Sequence, residues 1–325
     1  MNLPKKEHPT LKTSLHVRNK HRERYDFAQL IASCPALATY VTRNVYHDES
    51  IDFFNPQAVK VLNQALLKYY YTIDYWDIPP TYLCPPIPSR ADYIHYIADV
   101  LGSSNHAEIP RGKTITCLDI GVGANCVYPL IGSKEYGWSF IGIDIDAVAI
   151  DNAAKIITLN PPLSEQIQLR IQKNPNHIFI GSMLPNECID ITICNPPFHA
   201  SFAEAQEGTL RKLSNLQRKK ITKPTLNFGG QHHELWCEGG EGQFIQKMIY
   251  QSKAVGMACY WFSSLVSKET TLHTIYKALK EVQAIEIKTI PMKQGNKISR
   301  IVLWTFLSKK QQEIWVATRW NKRAI

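Results

Sequence analysis

The chain reads as an α/β protein, a mainly parallel seven-stranded sheet with a small helical extension ahead of it. Three observations predict this. Between about residues 115 and 266, short apolar runs rich in β-branched residues alternate with longer stretches of helical spacing, the pattern of parallel strands joined by crossover helices. Those runs stop on polar residues in turn-forming sequence, at Asp119-Ile-Gly-Val-Gly123, at Asp144 and at Asn195-Pro-Pro-Phe198. Five prolines between Ile78 and Pro88 forbid a helix there and set the alternating region apart from two helices before it.

Composition sets bounds on function. At 325 residues with 44% hydrophobic and 20% charged, the chain can bury one large core, or one core and a smaller domain. It has no run of eighteen apolar residues and no signal-peptide pattern at Met1, so neither a membrane partner nor secretion is expected, and the compartment is the cytoplasm. Eight cysteines without a C-x-x-C pair read as reduced thiols. A formal charge of +9 and a pI near 9.0 favour a polyanionic partner.

In chain order, residues 1–24 form a basic arm carrying Lys5, Lys6, Lys12, Arg18, Lys20, Arg22 and Arg24 against Glu7 and Glu23. Few large apolar residues interrupt it, so it is expected to stay flexible until it meets phosphate. Residues 25–40 and 56–71 show helical spacing, with Val59, Leu62, Leu66 and Leu67 three or four apart or adjacent. Together with the proline-rich connector they make an extension of residues 25–88, and 89–325 form the main domain. Ser89, with Asp92 three residues on, is the expected cap of a helix running to about Leu101. Arg90 then sits in the first turn, where the helix dipole disfavours a cation, so a carboxylate-bearing cofactor or a surface salt bridge would compensate it.

The first strand of the main domain runs from about Ile115 into Asp119, and Gly121 and Gly123 let backbone approach a ligand in the crevice at the strand end. Cys126 stands where the dinucleotide fingerprint needs its third glycine, which argues against a dinucleotide. The second strand, within 138–146, ends at Asp144, placed to accept both hydroxyls of a ribose, while Asp146 caps the helix from Ala147. Strands follow at 167–171, 189–194 and 255–266, the last preceded by a helix over 242–253. Runs at 284–290 and 299–307 close the sheet by a hairpin. After the fourth strand, Asn195 offers a carboxamide oxygen, Pro196 a carbonyl without an N–H, and Pro197 a second rigid φ, so acceptors can be held stiffly around an amino group. Phe198 supplies a flat face for a planar ring.

These strand ends, in this order, resemble class I S-adenosylmethionine-dependent methyltransferases, a Rossmann-like fold. With Ser89-Arg-Ala-Asp-Tyr-Ile-His95, Cys126-Val-Tyr-Pro-Leu-Ile-Gly132 and Glu238-Gly-Gly-Glu-Gly-Gln-Phe244 added, the chain resembles the RlmF family over about residues 20–307. These are bacterial 23S rRNA adenine N6-methyltransferases related to the methyltransferase-like protein 16 group. His199 departs from the eukaryotic relatives, which tend to carry a second aromatic there. The resemblance implies S-adenosyl-L-methionine as cofactor, held by Arg90 on its carboxylate, by Asp119, Gly121, Gly123 and Asn125 around its amino-acid part and ribose, by Asp144 on the ribose, and bordered by Asn195. It implies adenine 1618 of 23S rRNA as the methylated base, with 23S rRNA or a large-subunit assembly intermediate as partner, and Asn195, Pro196, Pro197 and Phe198 as the catalytic loop. Monomeric action is compatible with every feature.

Between residues 199 and 241 lies a long insertion whose middle holds Arg211, Lys212, Arg218, Lys219, Lys220 and Lys223 with no acid among 211–223. Beside the site, it reads as an RNA clamp that anchors phosphates without specifying sequence. His232, His233 and Cys237 lack a fourth ligand at recognisable spacing, so no metal is expected. Two rival functions stand beside this one. A methyltransferase of a protein glutamine amide would also present an NH₂ to an Asn-Pro-Pro-aromatic loop, although it needs no basic arms. A non-catalytic RNA-binding or ribosome-assembly factor would have no use for intact Asp119, Asp144 and Asn195.

Overall fold

Residues 11–44, 46–197, 237–294 and 297–320 are described by the structure, a computed structural model. Helix α1 (Phe27–Ser33) starts at Asp26, whose side chain accepts from Gln29 N, and gives way to a 3₁₀ turn at Pro35. A short antiparallel pair, β1 (Val41–Arg43) and β2 (Glu49–Ile51), leads to α2 (Pro56–Tyr71). Asn55 caps α2 by accepting from Gln57 N and Ala58 N, and Pro56 occupies the first turn, where its missing N–H costs nothing.

Helix α3 (Ile87–Ser103) corrects the expected start at Ser89. Pro88 suits a first helical turn, so the helix begins earlier, and the Ser89 hydroxyl donates to Pro86 O at 3.1 Å. Arg90 is therefore the fourth helical residue, and it is buried. Asp92 serves another purpose than capping: it accepts from His16 N and from the Asn19 amide.

The remaining elements are β3 (Thr116–Ile120), α4 (Val127–Tyr136), β4 (Ser139–Asp144), α5 (Ala147–Thr158), β5 (Ile167–Ile171), β6 (Ile189–Cys194), α6 (Gly240–Ser252), β7 (Cys259–Val266), α7 (Leu272–Glu281), β8 (Glu286–Gln294), β9 (Lys297–Thr305) and α8 (Lys309–Trp315). The sheet order is β5-β4-β3-β6-β7-β9-β8, with β3 to β7 parallel and β9 antiparallel to both β7 and β8. Both faces are covered. Along β9, Ile301 and Leu303 join the apolar cluster that includes α2, α3 and α4, whereas Val302 and Trp304 join the cluster with α6 and α7. At the lower edge of the sheet, fully buried Asp190 accepts from Thr116 N, Trp315 Nε1 and Trp320 Nε1, each at 2.7 Å, which fastens the C-terminal helix to β6. Among the described residues no helix is long and apolar enough to cross a membrane.

The flexible arm expected over residues 1–24 is corrected for residues 11–24. Leu15, His16, Asn19 and His21 are buried against α2 and α3. Arg18 donates to Asp99 at 2.7 Å and to Tyr136 Oη at 3.0 Å, Lys20 pairs with Glu135 at 2.6 Å, and Arg24 pairs with Asp48 at 3.1 Å. Lys12 donates to His21 O and lies over the Tyr25 ring, and Arg22 donates to Val17 O. Low hydrophobicity misleads here because the segment is ordered by polar partners on α3 rather than by apolar area. Lys5 and Lys6 lie outside the described residues.

Two histidines at this junction are buried neutral. Burial, with nearby cations, pushes His21 and His95 down to about 3 from 6.5. The unfolded chain takes up their protons first, so the docked segment is at full stability above about pH 6.5 and loses about 1.4 kcal/mol per pH unit per histidine as the pH falls toward 3. Asp92, pushed up by burial, offsets part of this. Amide protection factors at His16 and His21 should therefore drop between pH 6.5 and pH 4; unchanged factors would contradict the assignment.

Candidate active site

The sheet order reverses between β3 and β6, and a cleft of about 150 Å³ opens at the carboxyl ends of the strands there. After β3 the chain turns sharply: Gly121 N and Val122 N donate to Ile143 O at 2.9 and 3.0 Å. Gly121 and Gly123 have φ of +77° and +63°, values that a side chain resists, so glycine is required by the turn itself. Gly123 N then donates to Asp144 Oδ2 at 2.8 Å, and Asp146 N donates to Asp144 Oδ1 at 3.0 Å. Asp144 is thus held from both sides, and each of its oxygens can accept a second bond. Asp146 caps α5 through Val148 N, as its position predicts.

Asn125 lines the same cleft, with its side-chain oxygen accepting from Val127 N at 3.2 Å at the head of α4. Cys126 follows in a left-handed conformation, φ +52°. The connector forms another wall. Trp76 Nε1 donates to Asn125 O, Asn152 donates one amide to both Asp77 O and Ala124 O, and Tyr82 donates to Asp146, which brings Leu83 to the cleft.

Opposite lie Asn195, Pro196 and Pro197 at the end of β6, with Arg90 reaching in from α3. Arg90 Nη1 donates to Asn195 Oδ1 at 3.1 Å and to Tyr128 Oη at 3.0 Å. Phe198 and His199 lie outside the described residues, as do Arg211, Lys212, Arg218, Lys219, Lys220, Lys223, His232 and His233. Asp119 does not line the cleft. It is fully buried in β3, and neither carboxyl oxygen has a partner among the described residues. Burial pushes this carboxyl well above the usual range, with Asp144 adding to the push and Arg90 opposing it.

Several lining residues escaped the sequence reading. Tyr128 and Phe244 stand within 126–132 and 238–244, yet an aromatic among apolar neighbours signals a core position as readily as a site. His177 and Ile178 come from the loop after β5, which carries no motif; Ile178 N donates to Gln251 Oε1 at 2.7 Å, so α6 holds that loop in place. The combined set suits one ligand chemistry, Arg90 for a carboxylate and Asp144 for a ribose. These are the parts of S-adenosylmethionine.

Comparison with known proteins agrees with this geometry. A family model described as RNA methyltransferase matches residues 9–308. The ribosomal RNA large subunit methyltransferase F of Cytophaga hutchinsonii is 60% identical over 317 residues, covering 98% of this chain and 98% of that protein. Its namesake in Serratia proteamaculans is 53% identical over 318 residues, covering 98% and 95%. Among solved structures, the human METTL16 catalytic domain in complex with MAT2A 3′UTR hairpin 1 matches with a TM-score of 0.76 at 27% identity, over 90% of this chain and 96% of that one. The N-terminal domain of human METTL16 in complex with SAH, at 24% identity and a TM-score of 0.71, covering 90% and 99%, shares the fold.

The Asp119 environment makes a stability prediction. A carboxyl whose folded pKa is raised favours the fold at low pH and loses that contribution as pH rises through the raised value. Asp119→Asn keeps the shape without the charge, so it should raise the melting temperature at pH 8, with the gain vanishing near pH 3.5. A lower melting temperature than the parent at pH 8 would show that the carboxylate is compensated after all.

Proposed function

Because the chain belongs to the RNA methyltransferase family, we propose that it transfers a methyl group from S-adenosylmethionine to the exocyclic amine of one adenine in 23S ribosomal RNA, the base at 1618 being the one the family resemblance implies. The observation that carries this reading is the convergence, in one cleft, of Asp144 and Arg90 with the Asn195-Pro196-Pro197 turn. The first group suits the cofactor and the second suits an NH₂. Relatives that match over nearly the whole length and are named for large-subunit ribosomal RNA supply the substrate class.

S-adenosylmethionine supplies an electrophilic methyl on a sulfonium. The protein's task is to make a poor nucleophile meet it, since an adenine amine has its lone pair delocalised into the ring. Asn195 Oδ1 and the Pro196 carbonyl accept the two amine hydrogens, which draws the nitrogen toward sp³ character and turns its lone pair toward the methyl. Bound S-adenosylmethionine would supply the methyl: the N–C bond would form as the C–S bond broke, S-adenosylhomocysteine would leave, and the nitrogen would give up one proton to solvent. Positioning of this kind can supply several kcal/mol. Phe198 stacks on the base once it has left its neighbours, a contact worth roughly 1–3 kcal/mol.

Phosphate contacts fall to the 211–223 cluster and to the solvent side of residues 11–24, where Arg18, Lys20 and Arg24 keep 34%, 41% and 47% of their side chains exposed despite their ion pairs. The protein works in the cytoplasm as a monomer, on free 23S rRNA or an assembling large subunit.

Asn195→Ala tests the reading. Methyl transfer to 23S rRNA should fall at least about a hundredfold, since the amine loses an acceptor. Calorimetry should still detect S-adenosylmethionine binding of the same order as in the parent protein. Turnover at the parent rate would remove Asn195 from the chemistry.

A further inference from the structure

Arg90 touches both halves of the cleft. It reaches in from α3 with 7% of its surface exposed, and both side-chain hydrogen bonds it makes to the described residues run from a single nitrogen, Nη1, to Asn195 Oδ1 and Tyr128 Oη. The guanidinium carbon lies 5.4 Å from the centre of the Tyr128 ring. Tyr128 is itself held edge-on to Tyr93 at 5.4 Å, and the Tyr93 hydroxyl bonds Ser263 Oγ at 2.9 Å. The nitrogen that reaches Asn195 is therefore braced by a buried aromatic pair.

The chemistry of the two side chains makes this contact directional. A guanidinium only donates, whereas a carboxamide has one accepting and one donating end of nearly equal size. Arg90 therefore selects the rotamer that turns Oδ1 toward it, because the flipped amide would set NH₂ against a cation. An sp² oxygen keeps a second lone pair, so Oδ1 remains able to accept from a substrate amine on its other side. Nε and Nη2 lie on the same rigid plane as Nη1, where an anion in the cleft can take them.

We propose that Arg90, steadied by Tyr128, is a positioning residue for methyl transfer: one guanidinium plane links the cofactor carboxylate to the orientation of the Asn195 carboxamide. The link means that the cofactor prepares the amine acceptor before the base arrives. This inference rests on the reading of Asn195 given above.

Two conservative variants test it, Tyr128→Phe and Arg90→Lys, with thermal melts to establish that both are folded. At saturating cofactor and RNA, each should lower kcat by about tenfold or more, as expected for a misaligned acceptor. Independently of turnover, the ¹⁵N-labelled side-chain amide of Asn195, assigned by its absence in Asn195→Ala, should shift when S-adenosylhomocysteine is added to the parent protein and lose that response in both variants. If Arg90 only holds the cofactor, the KM for S-adenosylmethionine rises while kcat and the amide response keep their parent values, and the inference fails alone. If Asn195→Ala turns over at the parent rate, the reading of Asn195 fails and takes this inference with it.

Discussion

The seating of β3 between β4 and β6, all three parallel, is the constraint on which the site depends. In register, Asp119 lies across from Gly142 on one side and Ile193 on the other, and Ile120 across from Ile143 and Cys194. Parallel strands end on one edge, so the glycine turn, Asp144 and Asn195 emerge within reach of each other without any long loop to place them. The order reverses at this same junction, which opens a crevice instead of covering it with a crossover. The design has a cost in β3 itself, where Asp119 is buried without a partner among the described residues. A carboxyl so placed works against folding at neutral pH.

The extension is a wall of the site as well as a cap. Asn160 accepts from Asp74 N at 2.8 Å and donates to Tyr75 O at 2.7 Å, and Asn152 ties the connector to the glycine loop. Each such bond contributes only about 1 kcal/mol net, so their value lies in fixing where the connector runs. Residues 11–24 act similarly one layer further out. Asn19 bonds both Pro88 O and Asp92 on the first turns of α3, which steadies the helix that carries Arg90. Cations that look like free phosphate ligands in the sequence are thereby partly spent on holding the site together.

How much of this could be read beforehand follows the physics of each element. The strands at 167–171 and 189–194 and the helix at 56–71 match the structure to the residue: the edge strand alternates apolar and polar residues, the central strand is buried throughout, and an Asn-Pro cap marks a helix start. Helix α7 is hard to read although Ile275, Ala278 and Leu279 carry its spacing, since it is short and lies between two strand-like runs. Helix α8 offers less: its main anchor is the Asp190 carboxylate, far away in sequence. In the site, Gly121, Gly123, Asp144 and Asn195 were legible because each follows directly on an apolar run. Tyr128, Phe244 and His177 were not, because the fold brings them in from separate elements and their residue types carry no spacing rule.

The central claim is that the Asn195-Pro-Pro turn presents an exocyclic adenine amine of ribosomal RNA to S-adenosylmethionine. The most direct measurement is mass mapping of 23S rRNA incubated with the purified protein and S-adenosylmethionine carrying a labelled methyl group. The account predicts one labelled adenine, released as N6-methyladenosine. Label on a ring carbon, on a ribose hydroxyl, or on a protein glutamine in place of the RNA would contradict it.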